Sequence, residues 1–157
     1  MMNMKKIFMF LMVAAMLLPI SCTKEKEKME SPSLSGAYEY SGKMTVTAGG
    51  VENVSDNVLV EARIDEKAQT LDILFYKVKF VPQMPISLDV TVSGVKFSVS
   101  DGSMKFSGDG IVPLSGGTVP FPKYTVTSLT GTLSDSGLYL SLNFGDYPVS
   151  YTGILSN

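Results

Sequence analysis

From Gly36 onward the chain has a single texture. Apolar residues recur at every second position in short runs, and Gly, Pro, Asn, Asp and Ser separate the runs. Successive side chains of an extended strand point to opposite faces, so the pattern predicts half-buried β-strands joined by tight turns. No segment after Ser35 spaces its apolar residues at i, i+3, i+4 and i+7 over a useful length, so no helix is expected there.

The runs can be taken in order. Tyr38 to Thr47 places Tyr38, Tyr40, Met44 and Val46 on one face, and Ala48-Gly49-Gly50 turns it. Asn57 to Ile64 turns Val58, Val60, Ala62 and Ile64 one way and Glu61 and Arg63 the other. Thr70 to Phe80 is apolar on both faces, with Leu71, Ile73 and Phe75 opposed to Leu74, Tyr76, Val78 and Phe80. Such a strand is covered on both sides or faces a partner. Ile86 to Val92 alternates strictly, Gly94 interrupts, and Val95, Phe97 and Val99 resume, which marks Gly94 as a bulge or bend. Met104 to Gly108 returns after the turn at Asp101-Gly102-Ser103. Ile111 to Pro122 carries three prolines and two glycines and reads as a long loop or irregular edge. Tyr124 to Leu133 is a threonine-rich strand, Leu138 to Phe144 alternates cleanly, and Val149 to Ile154 closes the chain. The fold class expected is all-β, an antiparallel barrel of about eight strands, since closure removes exposed edges.

The start of the chain differs. Lys5-Lys6 precedes an apolar run from Ile7 to Leu18, and Pro19-Ile20-Ser21 leads to Cys22, the one cysteine among 157 residues. A basic n-region, a short apolar core and a small residue before a lone cysteine predict a secretory leader with a lipoprotein cleavage site. The apolar core is about a dozen residues, about 18 Å as a helix, which falls short of a ~30 Å hydrocarbon layer. Pro19 stands where a lipoprotein leader usually carries Leu. The domain organisation expected is 1–21 signal peptide, 22–35 lipidated Cys22 and disordered tether, and 36–157 barrel. Thr23, and not Asp, follows Cys22, which points by analogy to outer-membrane delivery. A barrel anchored there by palmitate and diacylglycerol would face the periplasm or the cell surface.

Composition excludes several functions. Lys5 and Lys6 would leave with the leader, so 11 bases stand against 15 acids and the mature chain carries −4. No basic stripe is present, so no nucleic-acid partner is expected. There is no histidine. That removes the usual general base, the common metal ligand and every Ser-His-Asp or Cys-His arrangement. Glu61 with Asp65, or Asp89 with Asp101, are the carboxylate pairs that glycoside hydrolysis would need. Each reads better as a solvent-facing strand or turn residue. Asp101-Gly102 and Gly108-Asp109-Gly110 lack the alternating carboxylates and closing Glu of a calcium loop and read as turns. No catalytic residue, metal site or cofactor is expected.

Five short stretches carry a family resemblance. Ser35-Gly36-Ala37-Tyr38 opens the domain and Met104-Lys105-Phe106-Ser107-Gly108-Asp109-Gly110 lies in its middle. Leu129-Thr130-Gly131-Thr132-Leu133, Leu138-Tyr139-Leu140-Ser141-Leu142 and Val149-Ser150-Tyr151-Thr152-Gly153 end it. Over Ser35 to Ile154 the chain resembles the calycin-like domain of small lipoproteins from Gram-negative gut bacteria. The resemblance implies a lipocalin-like β-barrel of undetermined function. Lipocalins carry Gly-x-Trp near the first strand and a late Arg packed over that Trp. This chain has Gly36-Ala37-Tyr38, no tryptophan, and Arg63 as its only arginine.

The candidate site is apolar. Tyr76, Phe80, Val81 and Met84, on the second face of the Thr70–Phe80 strand and in the proline loop behind it, are the residues expected to meet a small apolar molecule or an envelope protein. The functional expectation is a lipid-anchored binding module of the cell envelope. Its alternative is a structural or inhibitory interaction protein without a ligand cavity.

Overall fold

The computed structural model describes residues 35–156; Cys22 and the leader and tether expected around it lie outside the described residues. Ten strands follow one another. They are β1 (Gly36–Ala48), β2 (Val51–Asp65), β3 (Thr70–Val78), β4 (Leu88–Ser100), β5 (Ser103–Gly108), β6 (Leu114–Ser115), β7 (Val119–Pro120), β8 (Val126–Ser134), β9 (Gly137–Phe144) and β10 (Tyr147–Leu155). A single 3-10 turn, Pro122–Tyr124, precedes β8.

Eight of these strands close an antiparallel barrel in the order β1-β2-β3-β4-β5-β8-β9-β10. The seam is β1 with β10, from Tyr40 opposite Leu155 to Val46 opposite Val149. Apart from that seam, every barrel neighbour is also a sequence neighbour except β5 and β8, so short hairpins build nearly the whole sheet. The proline-rich Ile111–Pro122 segment makes that one excursion. It forms the two-residue hairpin β6–β7, which pairs with Val90 and Thr91 of β4, and Pro120 sits on its outer edge where no ladder donor is needed.

Four bulges bend the sheet into the barrel, and an aspartate stands across from three of them. At Lys77 (φ 53°) two residues of β3 oppose one of β4, and the Lys77 N–H donates to Asp89 Oδ1 at 2.9 Å. At Gly94 (φ 70°) the extra residue lies in β4, and its N–H donates to Asp72 Oδ1 at 2.9 Å. At Ser128 (φ 52°) it lies in β8, and its N–H donates to Asp109 Oδ1 at 2.9 Å. A bulge turns one N–H out of the ladder. The facing carboxylate supplies the acceptor that the neighbouring strand no longer offers.

The bulge at Lys77 corrects the expected faces of β3. Leu71, Ile73 and Phe75 point inward, as the alternation predicts, and Asp72, Leu74 and Tyr76 point outward. The extra residue then shifts the parity by one. Val78 and Phe80 return to the interior and are 2% and 1% exposed, instead of sharing a face with Leu74 and Tyr76. β2 also starts earlier than the apolar pattern predicts, at Val51 instead of Asn57. Its first half pairs with β1 alone among the described residues, because β3 meets β2 only over Val60–Asp65. Val51 and Val54 there are 61% and 54% exposed. Glu52, Asp56 and the bulge at Asn57 (φ 57°) guard that edge against pairing with another chain.

The core runs the length of the barrel. Met44, Val60, Ile73, Val92, Met104, Leu133, Leu138 and Tyr151 come one from each barrel strand, and each is at most 1% exposed. Asp72→Ala, Asp89→Ala and Asp109→Ala should each lower the unfolding free energy by about 1–2 kcal/mol in urea titrations, since a turned-out N–H loses a charged acceptor. The Asn variants keep an acceptor oxygen and should lose less than the Ala variants. Ala variants as stable as the parent would show that the bulges hold themselves.

Candidate functional site

The four residues singled out by sequence separate into two places. Phe80, Val81 and Met84 stay together at the barrel end formed by the start of β4 and the end of β9. The Met84 N–H donates to the Val81 carbonyl at 3.1 Å, closing a turn with Pro82 at its second position, and the Phe80 N–H points at Met84 Sδ at 3.1 Å. The Phe80 ring lies 5.7 Å from Tyr147 and stacked with it, 4.5 Å from Tyr124 and 5.1 Å from Phe144. Phe121 packs edge-on against Tyr124 at 4.7 Å. This aromatic cluster covers the barrel end; Phe80 is its buried centre, and Val81 and Met84 are half-buried at its margin.

Tyr76 lies on the outer wall, parted from the other three by the bulge at Lys77. Its hydroxyl donates to Glu61 Oε1 at 2.5 Å, and Arg63 Nη2 donates to the same oxygen at 3.2 Å. Burial alone would raise the Glu61 carboxyl, but the bonds from Tyr76 and Arg63 and the Arg63 charge outweigh it and hold the group below its ordinary value. Glu61 is thus a satisfied carboxylate in a surface trio.

The carboxylate pairs considered for hydrolysis do not converge. Glu61 and Asp65 stand four residues apart on one strand, about 13 Å, and Asp89 and Asp101 bracket β4, about 40 Å. Paired glycosidase carboxylates stand about 5–9.5 Å apart. Asp89 is engaged at the Lys77 bulge and Asp65 Oδ1 accepts the Ala68 N–H at 3.1 Å. Among the described residues no three His, Cys, Asp or Glu side chains gather where they could hold a metal. No helix there is long and apolar enough to cross a membrane.

The interior offers one unusual polar atom. Tyr40 is fully buried and its hydroxyl has no hydrogen-bond partner among the described residues. Tyr151, also inside, donates its hydroxyl to the Val58 carbonyl at 2.9 Å. Its ring lies over Gly153, where a Cβ would run into it. Burial pushes both phenols well above their ordinary value, and for Tyr40 the nearby Tyr38 and Tyr151 add to the shift.

A shallow concavity open to solvent lies on the outside, across β4, β5, β8, β9 and β10, with a volume of about 630 Å³. Strand register assembles it from two parallel rungs of outward side chains, whose end members Lys43, Lys96 and Thr45 stand beyond its lining. One rung runs Ser98, Lys105, Thr132, Tyr139, Thr152 and Lys43. The next runs Lys96, Ser107, Thr130, Ser141, Ser150 and Thr45. Thr130 and Ser141 touch through their hydroxyls at 3.3 Å. Tyr139 is 47% exposed and stands in the middle of the first rung. Ser141 and Ser150 also line a second hollow of about 320 Å³ beside Thr45 and Thr47. Sequence reasoning did not bring these residues together as a site. The available signal was the outward half of each alternation: in β8, β9 and β10 those positions carry no charge and, Pro148 and Ile154 aside, are filled by Thr, Ser, Tyr and Asn.

No protein-family model, curated protein or solved structure matches the chain. The eight-stranded antiparallel barrel itself is consistent with a calycin-like fold.

The two buried phenols make opposite predictions. Tyr40→Phe removes a hydroxyl without a partner and should leave stability unchanged or higher, whereas Tyr151→Phe strands the Val58 carbonyl and should cost about 1 kcal/mol. Both phenols must stay neutral in the fold while the unfolded chain ionises near pH ~10. Their contribution is therefore complete below that pH and is lost as pH rises toward the higher folded value. Thermal melts from pH 8 to 11 should show the fall, and Tyr40→Phe should make it shallower; an unaltered profile in that variant would refute the assignment.

Proposed function

We propose that this chain is a lipid-anchored binding module of the cell envelope, akin to calycin-like lipoproteins, that works with the outside of its barrel and keeps no ligand inside. Cys22 would carry the lipid and hold the barrel at the outer membrane. The observation that carries the reading is the filled interior. An eight-stranded barrel is just wide enough for its own side chains or one small ligand, and here core residues from all eight barrel strands meet inside. The Phe80 cluster covers one end with rings already engaged with each other, which leaves a small apolar molecule little to bind there. The outer groove, by contrast, is open and its hydroxyls are at the surface. The chain binds its partner without turning it over, since its carboxylates are separated or engaged.

The anchor and the binding surface are tested separately. Metabolic labelling with palmitate should tag the protein, and Cys22→Ala should abolish the tag and release the protein from the membrane fraction; a labelled variant would refute the anchor. For the surface, a photo-crosslinker at position 141 should capture envelope material in intact cells, and one at exposed position 86 should not. A fluorescent fatty acid should show no saturable binding to the purified protein. Saturable uptake would put the site inside the barrel and overturn the reading.

A further inference from the structure

The two halves of the barrel wall differ in charge. The chain is acidic overall, with 15 acids against 13 bases. Glu39, Glu52, Glu61, Asp65 and Asp72 all belong to β1, β2 and β3. Strands β5, β8, β9 and β10 hold no Asp or Glu, and the acids nearest them, Asp101, Asp109, Asp135 and Asp146, are confined to connections at the barrel ends. The cations on the groove side are Lys96 and Lys105, at one margin of the rungs, with Lys43 at the other. Lys43 lies 4.0 Å from Asp56, and no acid pairs with Lys96 or Lys105 among the described residues.

We propose that the groove binds a free acidic polysaccharide chain, which rests on the outer-wall reading above and names its ligand class. Each Ser and Thr hydroxyl both donates and accepts, which matches sugar hydroxyls that do the same. Strand spacing and side-chain period set these groups on a lattice of about 4.8 Å by 6.7 Å, a repeat suited to a polymer. The exposed Tyr139 ring offers an apolar platform for the C–H face of one sugar, with its hydroxyl at the wet edge. Lys105, beside Thr132 on the same rung, faces a sugar carboxylate, and Lys96 meets the next. An anionic chain approaching an acidic protein is repelled by the β1–β3 wall and accepted on this one.

The full chain, purified in detergent, is tested by affinity electrophoresis and calorimetry against polygalacturonate, neutral dextran and polyglutamate. Polygalacturonate should bind, weaken with added salt, and outcompete both others. Tyr139→Ala and Lys105→Ala should each weaken it about tenfold, with melting temperature and circular dichroism unchanged because both side chains are exposed. Ser150→Glu, which sets a carboxylate in the groove against the anionic chain, should abolish binding, and Glu39→Ala should leave it unaltered. Dextran binding as tight as polygalacturonate, or polyglutamate binding as tight, would overturn the proposal, as would binding confined to lipopolysaccharide vesicles. If no polymer binds but position 141 still crosslinks envelope material, the ligand class falls and the outer-wall reading stands; if the crosslink fails as well, both fall.

Discussion

An N–H turned out of a β-ladder must find an acceptor, and at three points of this sheet the acceptor is an aspartate, two on the facing strand and one just past the end of β5. The consequence is geometric before it is energetic. Each extra residue reverses which face the following side chains occupy. Without the shift at Lys77, Val78 and Phe80 would point to solvent and the aromatic cluster would have no centre. Without the shift at Ser128, Val126 could not share the interior with Leu129 and Leu133. Asp72, Asp89 and Asp109 therefore stabilise a parity, and the parity decides what is core. Two of the three bulge positions are held by Lys and Ser, which tolerate positive φ less readily than glycine. The facing carboxylate helps hold a conformation that the local residue does not favour.

This explains where the sequence was legible and where it was not. Between bulges, alternation assigns the faces correctly: Tyr40, Met44 and Val46 in β1, Val58 to Ile64 in β2, and Leu138 to Phe144 in β9 all lie as the period of two dictates. Gly94 advertises its own bulge because glycine in a strand interior has few other uses. Lys77 and Ser128 advertise nothing, and their partners lie 12 and 19 residues away. Val51–Asp56 was passed over for a related reason. A strand that projects beyond the core has no apolar face to show, and only its ladder to β1 defines it.

The concavity was less legible still. Ser98, Lys105, Thr132, Tyr139 and Thr152 are dispersed over more than fifty residues, and each is an ordinary outward strand position. Only the register of five strands puts them in one row. A search for function by unusual residues turns instead to exposed-looking apolar groups such as Phe80 and Met84, which in a bulged barrel are often the closing layer of the core.

Closure then limits what such a barrel can offer a partner. Among the described residues, the first half of β2 is the one long stretch of barrel strand without a second neighbour, and acids guard it. The interior is shaped around large rings: Gly131 leaves space for Phe106, and Gly153 for Tyr151, so the smallest residues inside are filled by the largest. A barrel with its rings packed against its glycines can be emptied only by losing core contacts, which makes ligand entry and unfolding nearly the same event. Specific recognition compatible with a stable core would thereby fall to side chains that the core does not use. On the β1–β3 wall many of those side chains are charged, and some are engaged with one another, as in the Glu61, Arg63 and Tyr76 trio. On the opposite wall they are hydroxyls, one tyrosine and lysines free of acids, the half of the surface where a binding partner need not displace an existing ion pair.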